Sequence, residues 1–340
     1  MKWVKRFLKW YIGLNIILIV GLIVATEVSP KPGTAMIRYV FNREVPIKDV
    51  GNFKKSEEVV NIQKNINYNS KYPRNTFDLY TPKDVKKDEK LPVLIWLHGG
   101  GYLAGDKSLA KEFATYVVTK ERVAVISMNY ELAPELRYPG QVVQVNDLYK
   151  TLVASPEKWA NLDLTKLAFG GDSAGAQIVG QYVAIQTNAL YAKEMNMKQL
   201  VLKEHLKAFI SYCGPLDLQQ MKDLPKKEVL MKFFARTVAW DLIGEKNWKD
   251  SSVVTQASLT EHVTSDFPPS YVTDANGFSF LSQGQAFVKE LVEQDIPIQS
   301  LFYANEEQPI YHEYQFSYDT KEAQRCLAET LAFLKVTLKD

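Results

Sequence analysis

The stretch LAFGGDSAG, Leu167 to Gly175, followed by AQIVGQYVAIQ over residues 176–186, decides how this chain is read. A short apolar run leads into three glycines set around one serine, and a long helix-like run follows. Ser173 therefore stands where a strand turns into a helix. Gly171-Asp172-Ser173-Ala174-Gly175 has the Gly-x-Ser-x-Gly form of a nucleophile elbow. In that turn the serine takes a strained backbone conformation that lifts its hydroxyl above the sheet. The glycines leave room for neighbouring backbone, and the following helix aims its first N–H groups at developing negative charge. The pentapeptide recurs by chance; its place after LAF and before a helix makes it informative.

Working outward, LPVLIWL (91–97) is a continuous apolar run, the mark of a strand buried on both faces. It ends in His98-Gly99-Gly100-Gly101. Acyl chemistry needs fixed donors for a carbonyl oxygen that becomes an oxyanion, and loss of one donor typically costs about 3–4 kcal/mol of transition-state stabilisation. Glycines let backbone approach a substrate closely. The N–H groups of Gly100 and Gly101, with that of Ala174, are the expected oxyanion hole, and His98 is read as a structural hydrogen-bonder.

Two alternating segments, VVNIQKNINY (59–68) and TFDLYTP (76–82), come first and suit antiparallel strands. Strand and helix patterns then alternate: a helix near 108–119, strand 123–130, helix 140–155, the elbow strand, a helix from 174 to 190, strand 206–214, strands at 269–276 and 296–304, and a closing helix near 321–337. This order predicts one mostly parallel sheet covered by helices. Residues 218–267 are too long for a simple connection. They contain KFFARTVAWDLIG (232–244) at helical spacing and are expected to form a helical cap.

The HGGG, the GDSAG and the intervening NYELAPELRYP (129–139) together resemble the hormone-sensitive-lipase-like carboxylesterases of the α/β-hydrolase superfamily. The resemblance covers about residues 75–338. It implies an α/β-hydrolase fold and ester chemistry on short or medium acyl groups. One departure is Glu131, where the family usually carries Arg.

In this fold the triad runs Ser, acid, His along the chain. His312 is the one histidine after His262. It follows the last strand, and HEYQF resembles the family's terminal histidine motif, so His312 is the expected base. The acid is the weak point. The family's Asp belongs about four residues past the seventh strand, where this chain has Phe278 or Ser279. Asp274 is the nearest carboxylate and the favoured candidate; Asp217, after the sixth strand, is the alternative, and a site without an acid stays open. Asp172 faces away from a triad role. Asp106 and Asp147 are read as structural or as supports of the oxyanion loop. Tyr102, Phe233, Phe234, Trp240, Phe278 and Tyr311 are candidates for an acyl pocket or for plain packing.

The N-terminus has a different character. MKWVKRFLKW carries four basic residues, and a run of roughly 17 apolar residues from Tyr11 to Val28 just spans a bilayer core as a helix. Residues 1–28 are read as a membrane anchor in preference to a cleaved signal, with the basic flank cytoplasmic and the remaining chain outside, as at a bacterial-type cell membrane. Residues 29–57 follow as a linker or juxtamembrane segment, and 58–340 as the hydrolase domain.

The 340 residues include 41 Lys and Arg against 39 Asp and Glu, a net charge of +2 that gives no case for nucleic acid. The four histidines lack metal-ligand spacing, and neither a metal nor an organic cofactor is expected. Cys213 and Cys326 are read as buried free thiols. The sequence thus predicts a serine ester hydrolase acting on a small-molecule ester. The alternatives are a peptidase or glycan deacetylase on the same fold, and a catalytically silent, membrane-tethered binding module.

Overall fold

The computed structural model describes residues 2–42 and 45–339. The first residue of the expected anchor, residues 43–44 of the expected linker and residue 340 lie outside the described residues. Eight strands form one sheet: β1 (Val60–Asn67), β2 (Thr76–Pro82), β3 (Leu91–Leu97), β4 (Ala124–Met128), β5 (Leu162–Asp172), β6 (Leu206–Tyr212), β7 (Ser270–Ala275) and β8 (Ile298–Tyr303). The order is β1-β2-β4-β3-β5-β6-β7-β8. β2 pairs antiparallel with both β1 and β4. From β4 to β8 every pairing is parallel. This is the α/β architecture that the alternating pattern predicts.

Helices cover both faces, and β3 shows the consequence residue by residue. Val93, Ile95 and Leu97 point into one apolar layer, with α5 (Gly140–Ala154), α6 (Ala174–Thr187) and α10 (Leu281–Glu293). Leu94 and Trp96 point into the other, with α4 (Lys111–Glu121) and α11 (Lys321–Lys339). Successive strand residues face opposite sides, so a strand covered on both must be apolar throughout. Trp96 is fully buried, its ring 4.4 Å from Phe113 and 5.1 Å from Tyr212 between centroids.

Two boundaries differ from the sequence reading. β5 starts at Leu162, because Leu162 and Asp163 pair with Leu91 and Pro92 ahead of a register shift. The expected single helix over 174–190 breaks at Asn188, whose backbone is extended. The Asn188 side chain accepts from the N–H groups of Leu190 and Tyr191, each at 3.0 Å, and so starts α7 (Ala189–Glu194). A short polar side chain that caps a new helix competes well with continuation of the old one.

The segment after β6 folds over the carboxyl edge of the sheet. It holds α8 (Val229–Ile243) and α9 (Ser252–Gln256), with their own small apolar cluster of Met221, Met231, Ala235, Trp248, Val254 and Phe280. At the other end of the chain, α1 (Lys2–Val28) is one long helix, exposed along its length. Residues 29–57, read as a linker, fold onto the body instead. They form α2 (Lys31–Phe41) and α3 (Val50–Glu57). Gly33 and Ile37 of α2 are buried, with Gly33 closed against Thr237 and Phe233 of α8. Glu112 accepts from the amides of Lys48 and Asp49, each at 2.9 Å. Both cysteines are buried and unpaired.

Candidate active site

Ser173 sits between β5 and α6 with φ 49° and ψ −121°, a conformation strained for any residue with a Cβ. Its N–H donates to the Tyr212 carbonyl at 2.8 Å, which fixes the turn against β6. The turn closes tightly enough to require glycine: a Cβ on Gly175 would overlap the Leu97 carbonyl and stand 2.5 Å from that of His98. The elbow is thus wedged beneath the loop that follows β3.

That loop contains Gly100 at φ +111° and Gly101 at φ +60°. At Gly100 a Cβ would strike the Ala104 carbonyl, so both the space and the conformation exclude a side chain. Among the described residues, the N–H groups of Gly100, Gly101 and Ala174 donate to no protein acceptor. The same cavity is lined by Gly100, Gly101 and Ser173. His98 lies beneath, fully buried and stacked on Tyr130 at 4.5 Å. Its Nδ1 donates to the Gly99 carbonyl at 2.7 Å, which assigns the proton to that nitrogen. Burial pushes its pKa down to about 4. His98 therefore shapes the loop, as the sequence reading expects.

His312 comes to Ser173 from 139 residues further along the chain, its Nε2 2.9 Å from Ser173 Oγ. Two anchors hold it. Its N–H donates to the Gly277 carbonyl at 2.9 Å, and its ring meets Phe280 edge-on at 5.3 Å. Burial alone lowers its pKa to about 4. With Nε2 accepting the serine hydroxyl, the imidazole proton resides on Nδ1, which is buried and has no hydrogen-bond partner among the described residues.

The candidate acids are not at that nitrogen. Asp274 is buried at the end of β7, where its carboxylate accepts from the N–H of Ala275 at 2.8 Å and of Phe280 at 3.0 Å. It closes the 275–280 turn that seats His312, and burial raises its pKa to about 7. Asp217 accepts from Gln219 N–H at 3.2 Å and from the Gln220 amide at 3.0 Å. Neither hydrogen-bonds to His312, so the expectation that Asp274 orients the imidazole directly is corrected to support through the turn. Where the family resemblance would place an Asp after β7, this chain has Phe278, with φ +47°, and Ser279, whose hydroxyl donates to the Ala275 carbonyl.

A second carboxyl pair escaped the sequence reading. Asp172, inside the elbow, accepts from Trp96 Nε1 at 2.9 Å and from Gly99 N–H at 2.6 Å. Glu313, the neighbour of His312, meets it at Gly99, where an added Cβ would lie 2.5 Å from Asp172 Oδ2 and 2.8 Å from Glu313 Oε1. Burial first, and then the negative charge of Asp172, raises Glu313 to about 8. Burial likewise raises Asp172, to about 6. With its pKa raised beside the Asp172 carboxylate, the Glu313 carboxyl keeps its proton at neutral pH. The two carboxyls tie the elbow, the oxyanion loop and the histidine loop into one unit. The signal was available in the adjacency of Glu313 to His312, but the partner on β5 was not.

Asp106 has a local role. Burial would raise its pKa, but hydrogen bonds from Asn129 and Ser108 outweigh that and hold it at about 2. Asp147 accepts from Ser70 Oγ at 2.8 Å. Of the candidate aromatics, Phe234, Phe278 and Tyr311 line the cavity of about 410 Å³ over Ser173, joined by Val40, Phe41, Val45 and Phe280. Tyr102 lines a smaller cavity of about 60 Å³ behind Phe234 and Phe280. Phe233 packs on Gly33, and Trp240 lies beneath Lys246. No group of three or more His, Cys, Asp or Glu side chains fit to hold a metal occurs among the described residues.

The sequence model described as alpha/beta hydrolase fold matches residues 94–311, more than half of the chain. The chain belongs to the α/β-hydrolase fold family. The paired HGGG and GDSAG motifs both fall within the matched residues. One relative, named "Probable carboxylesterase 2", from Arabidopsis thaliana, is 33% identical over 104 residues, 29% of this chain and 33% of its own length. Tuliposide A-converting enzyme b1 of Tulipa gesneriana is 31% identical over 121 residues, 33% of this chain and 32% of its own. The chain spans about a quarter to a third of the length of the curated relatives it matches. Among solved structures, esterase B from Lactobacillus Rhamnosis superposes with a TM-score of 0.70 at 21% identity, over 85% of this hydrolase and 91% of the esterase. That likeness is one of fold.

Proposed function

We propose that this α/β hydrolase is a serine ester hydrolase working through an acyl-enzyme, held at a membrane by α1 with its catalytic domain on the extracytoplasmic side. The observation that carries the reading is the 2.9 Å contact between His312 Nε2 and Ser173 Oγ, beside three undirected backbone N–H groups. Ser173 Oγ attacks the ester carbonyl carbon while His312 takes its proton. The carbonyl oxygen gains its negative charge among the Gly100, Gly101 and Ala174 amides. The carbon–oxygen bond to the alcohol breaks, and His312 returns the proton to the departing oxygen. Water, deprotonated by the same imidazole, then releases the acid from Ser173. With no carboxylate on Nδ1, the imidazolium is held by packing and the turn rather than by an ion pair. Residual rate in such incomplete triads comes from the oxyanion donors and substrate binding.

Apolar walls over Ser173, from Phe234, Phe278, Phe280 and Tyr311, suit the acyl side of an ester. A fluorophosphonate probe is the test: the full chain is expected to label, and Ser173→Ala to lose both labelling and ester turnover, the latter by at least roughly a thousandfold. Labelling that survives Ser173→Ala overturns the assignment. The unpartnered Nδ1 favours the second reading, a silent binding module on the same fold. A wild-type chain that folds but neither labels nor turns over an ester panel would establish it.

A further inference from the structure

We infer that the outward face of α2 lies in the membrane interface, so that the mouth of the catalytic cavity opens onto the leaflet and its substrate is an acyl ester lipid drawn from the bilayer. This rests on the esterase and anchor readings above and adds the substrate class and its route of entry.

Three observations converge. First, α1 is tied to the body at its end. Arg236 of α8 pairs with the Glu27 carboxylate, and its Nη2 donates to the Thr26 carbonyl at 3.1 Å. α2 begins only three residues after α1 ends, at Lys31. The junction between a helix that spans 26 apolar-rich residues and the hydrolase body is therefore short and tied to α8.

Second, α2 carries apolar residues on both sides. Its inner side mixes buried Gly33 and Ile37 with polar contacts: Thr34 bonds the Asp241 carboxylate, and Arg38 donates to the carbonyls of Leu103 and Ala133, each at 2.9 Å. Its outer side carries Ala35, Met36, Tyr39 and Val40, all exposed. Among the described residues of α2, no charge beyond Lys31 stands on that outer side. A helix facing water at such length ordinarily bears charged residues. A helix lying at the acyl boundary shows apolar and aromatic ones. Continuity with α1 supplies the bilayer that would cover it.

Third, this face runs directly into the site. Val40 and Phe41 end α2 and line the cavity over Ser173, followed by Val45 and Pro46. Phe278 and Tyr311 complete the rim, both substantially exposed. A lipid leaving the leaflet along Val40 and Phe41 meets a mostly apolar wall on its way to the serine, with the Lys48 ammonium and the Glu313 carboxyl also in the lining. Hydrolysis there transfers the acyl group from the lipid oxygen to Ser173 Oγ and then to water, releasing a fatty acid and the deacylated lipid.

The experiment uses the full chain reconstituted in dioleoylphosphatidylglycerol vesicles carrying dioleoylglycerol, with para-nitrophenyl butyrate as the soluble ester. Met36→Cys carrying a bimane label reports depth through quenching by nitroxide-bearing lipid against quenching by aqueous iodide. Quenching by lipid nitroxide, with dioleoylglycerol cleaved, is the expected result. The double variant Ala35→Asp, Met36→Asp is expected to slow dioleoylglycerol cleavage by roughly tenfold or more while changing the para-nitrophenyl butyrate rate less than about twofold. A label quenched by iodide and not by lipid overturns the inference. So does a label shielded from both, which would mean a second copy covers the face. Equal loss on both esters, or soluble turnover without dioleoylglycerol cleavage, overturns the lipid route. Absence of para-nitrophenyl butyrate turnover and of fluorophosphonate labelling would instead defeat the esterase reading, while the label still decides where α2 lies.

Discussion

His312 works in an environment that opposes its charge. Burial favours the neutral imidazole, and no carboxylate on Nδ1 offsets that preference. A base must be neutral to accept the serine proton, so a lowered pKa extends the active form toward acid. The acidic limb of kcat/KM is therefore expected near pH 4, with activity maintained as pH falls through the usual histidine range near 6.5. A pH–rate profile on an acid-stable ester measures it. A limb close to 6.5 would show that an acceptor stabilises the imidazolium after all. At this same scale the sequence was partly legible. Ser173 and His312 stood out through their neighbours, whereas Asp274 did not: a carboxylate two residues before a turn can be aimed at a histidine or at the turn's own N–H groups. Only the path of residues 275–280 decides between them.

Among the elements, α8 separates the site from the cap interior. Phe234 faces Phe41 at 6.0 Å and Phe278 at 6.1 Å between ring centroids. It lines both the cavity over Ser173 and the smaller one bounded by Tyr102, Val238 and Trp248. Phe234→Ala removes the shared wall. The expected outcome is a shift of kcat/KM toward longer acyl esters, by roughly tenfold in the ratio of octanoate to acetate, since one or two methylenes in an apolar pocket discriminate by about that factor. An unchanged chain-length profile would mean that the two spaces do not join. The KFFARTVAWDLIG spacing announced this helix, but its partners across the cleft come from α2 and from the turn after β7, far off in sequence. Residues 29–57 lacked a strong period because α2 carries apolar residues both on its buried side, at Gly33 and Ile37, and on its exposed side, at Met36, Tyr39 and Val40.

For the whole molecule, the Asp172–Glu313 pair makes stability depend on pH. Both pKa values are raised by folding, so the contribution of each is complete below its unfolded value and is lost as pH rises through the folded one. For Glu313 that window runs from about 4.5 to about 8. Asp172 and Asp274 act in the same sense, with folded values near 6 and 7. The buried histidines act oppositely, but only below about 6.5, where the unfolded chain takes up their protons. From pH 6.5 to 8.5 the carboxyls dominate, and the melting temperature is expected to fall. Glu313→Gln keeps the shape without the titration and should flatten that fall. Thermal unfolding of both proteins at the two pH values is the measurement; parallel curves would remove Glu313 from the account.

By itself, the sequence determined what depends on local pattern. Unbroken apolar strands require helices on both faces, the glycines around Ser173 require a tight elbow, and the paired HGGG and GDSAG set the order of donors and nucleophile. The tertiary structure alone decided what depends on pairs distant along the chain: the missing partner of His312 Nδ1, the meeting of Asp172 and Glu313 at Gly99, and the packing of α2 against α8. The physical reason is that backbone conformation and burial period are properties of neighbours, whereas a buried charge takes its meaning from whichever group folding brings to it.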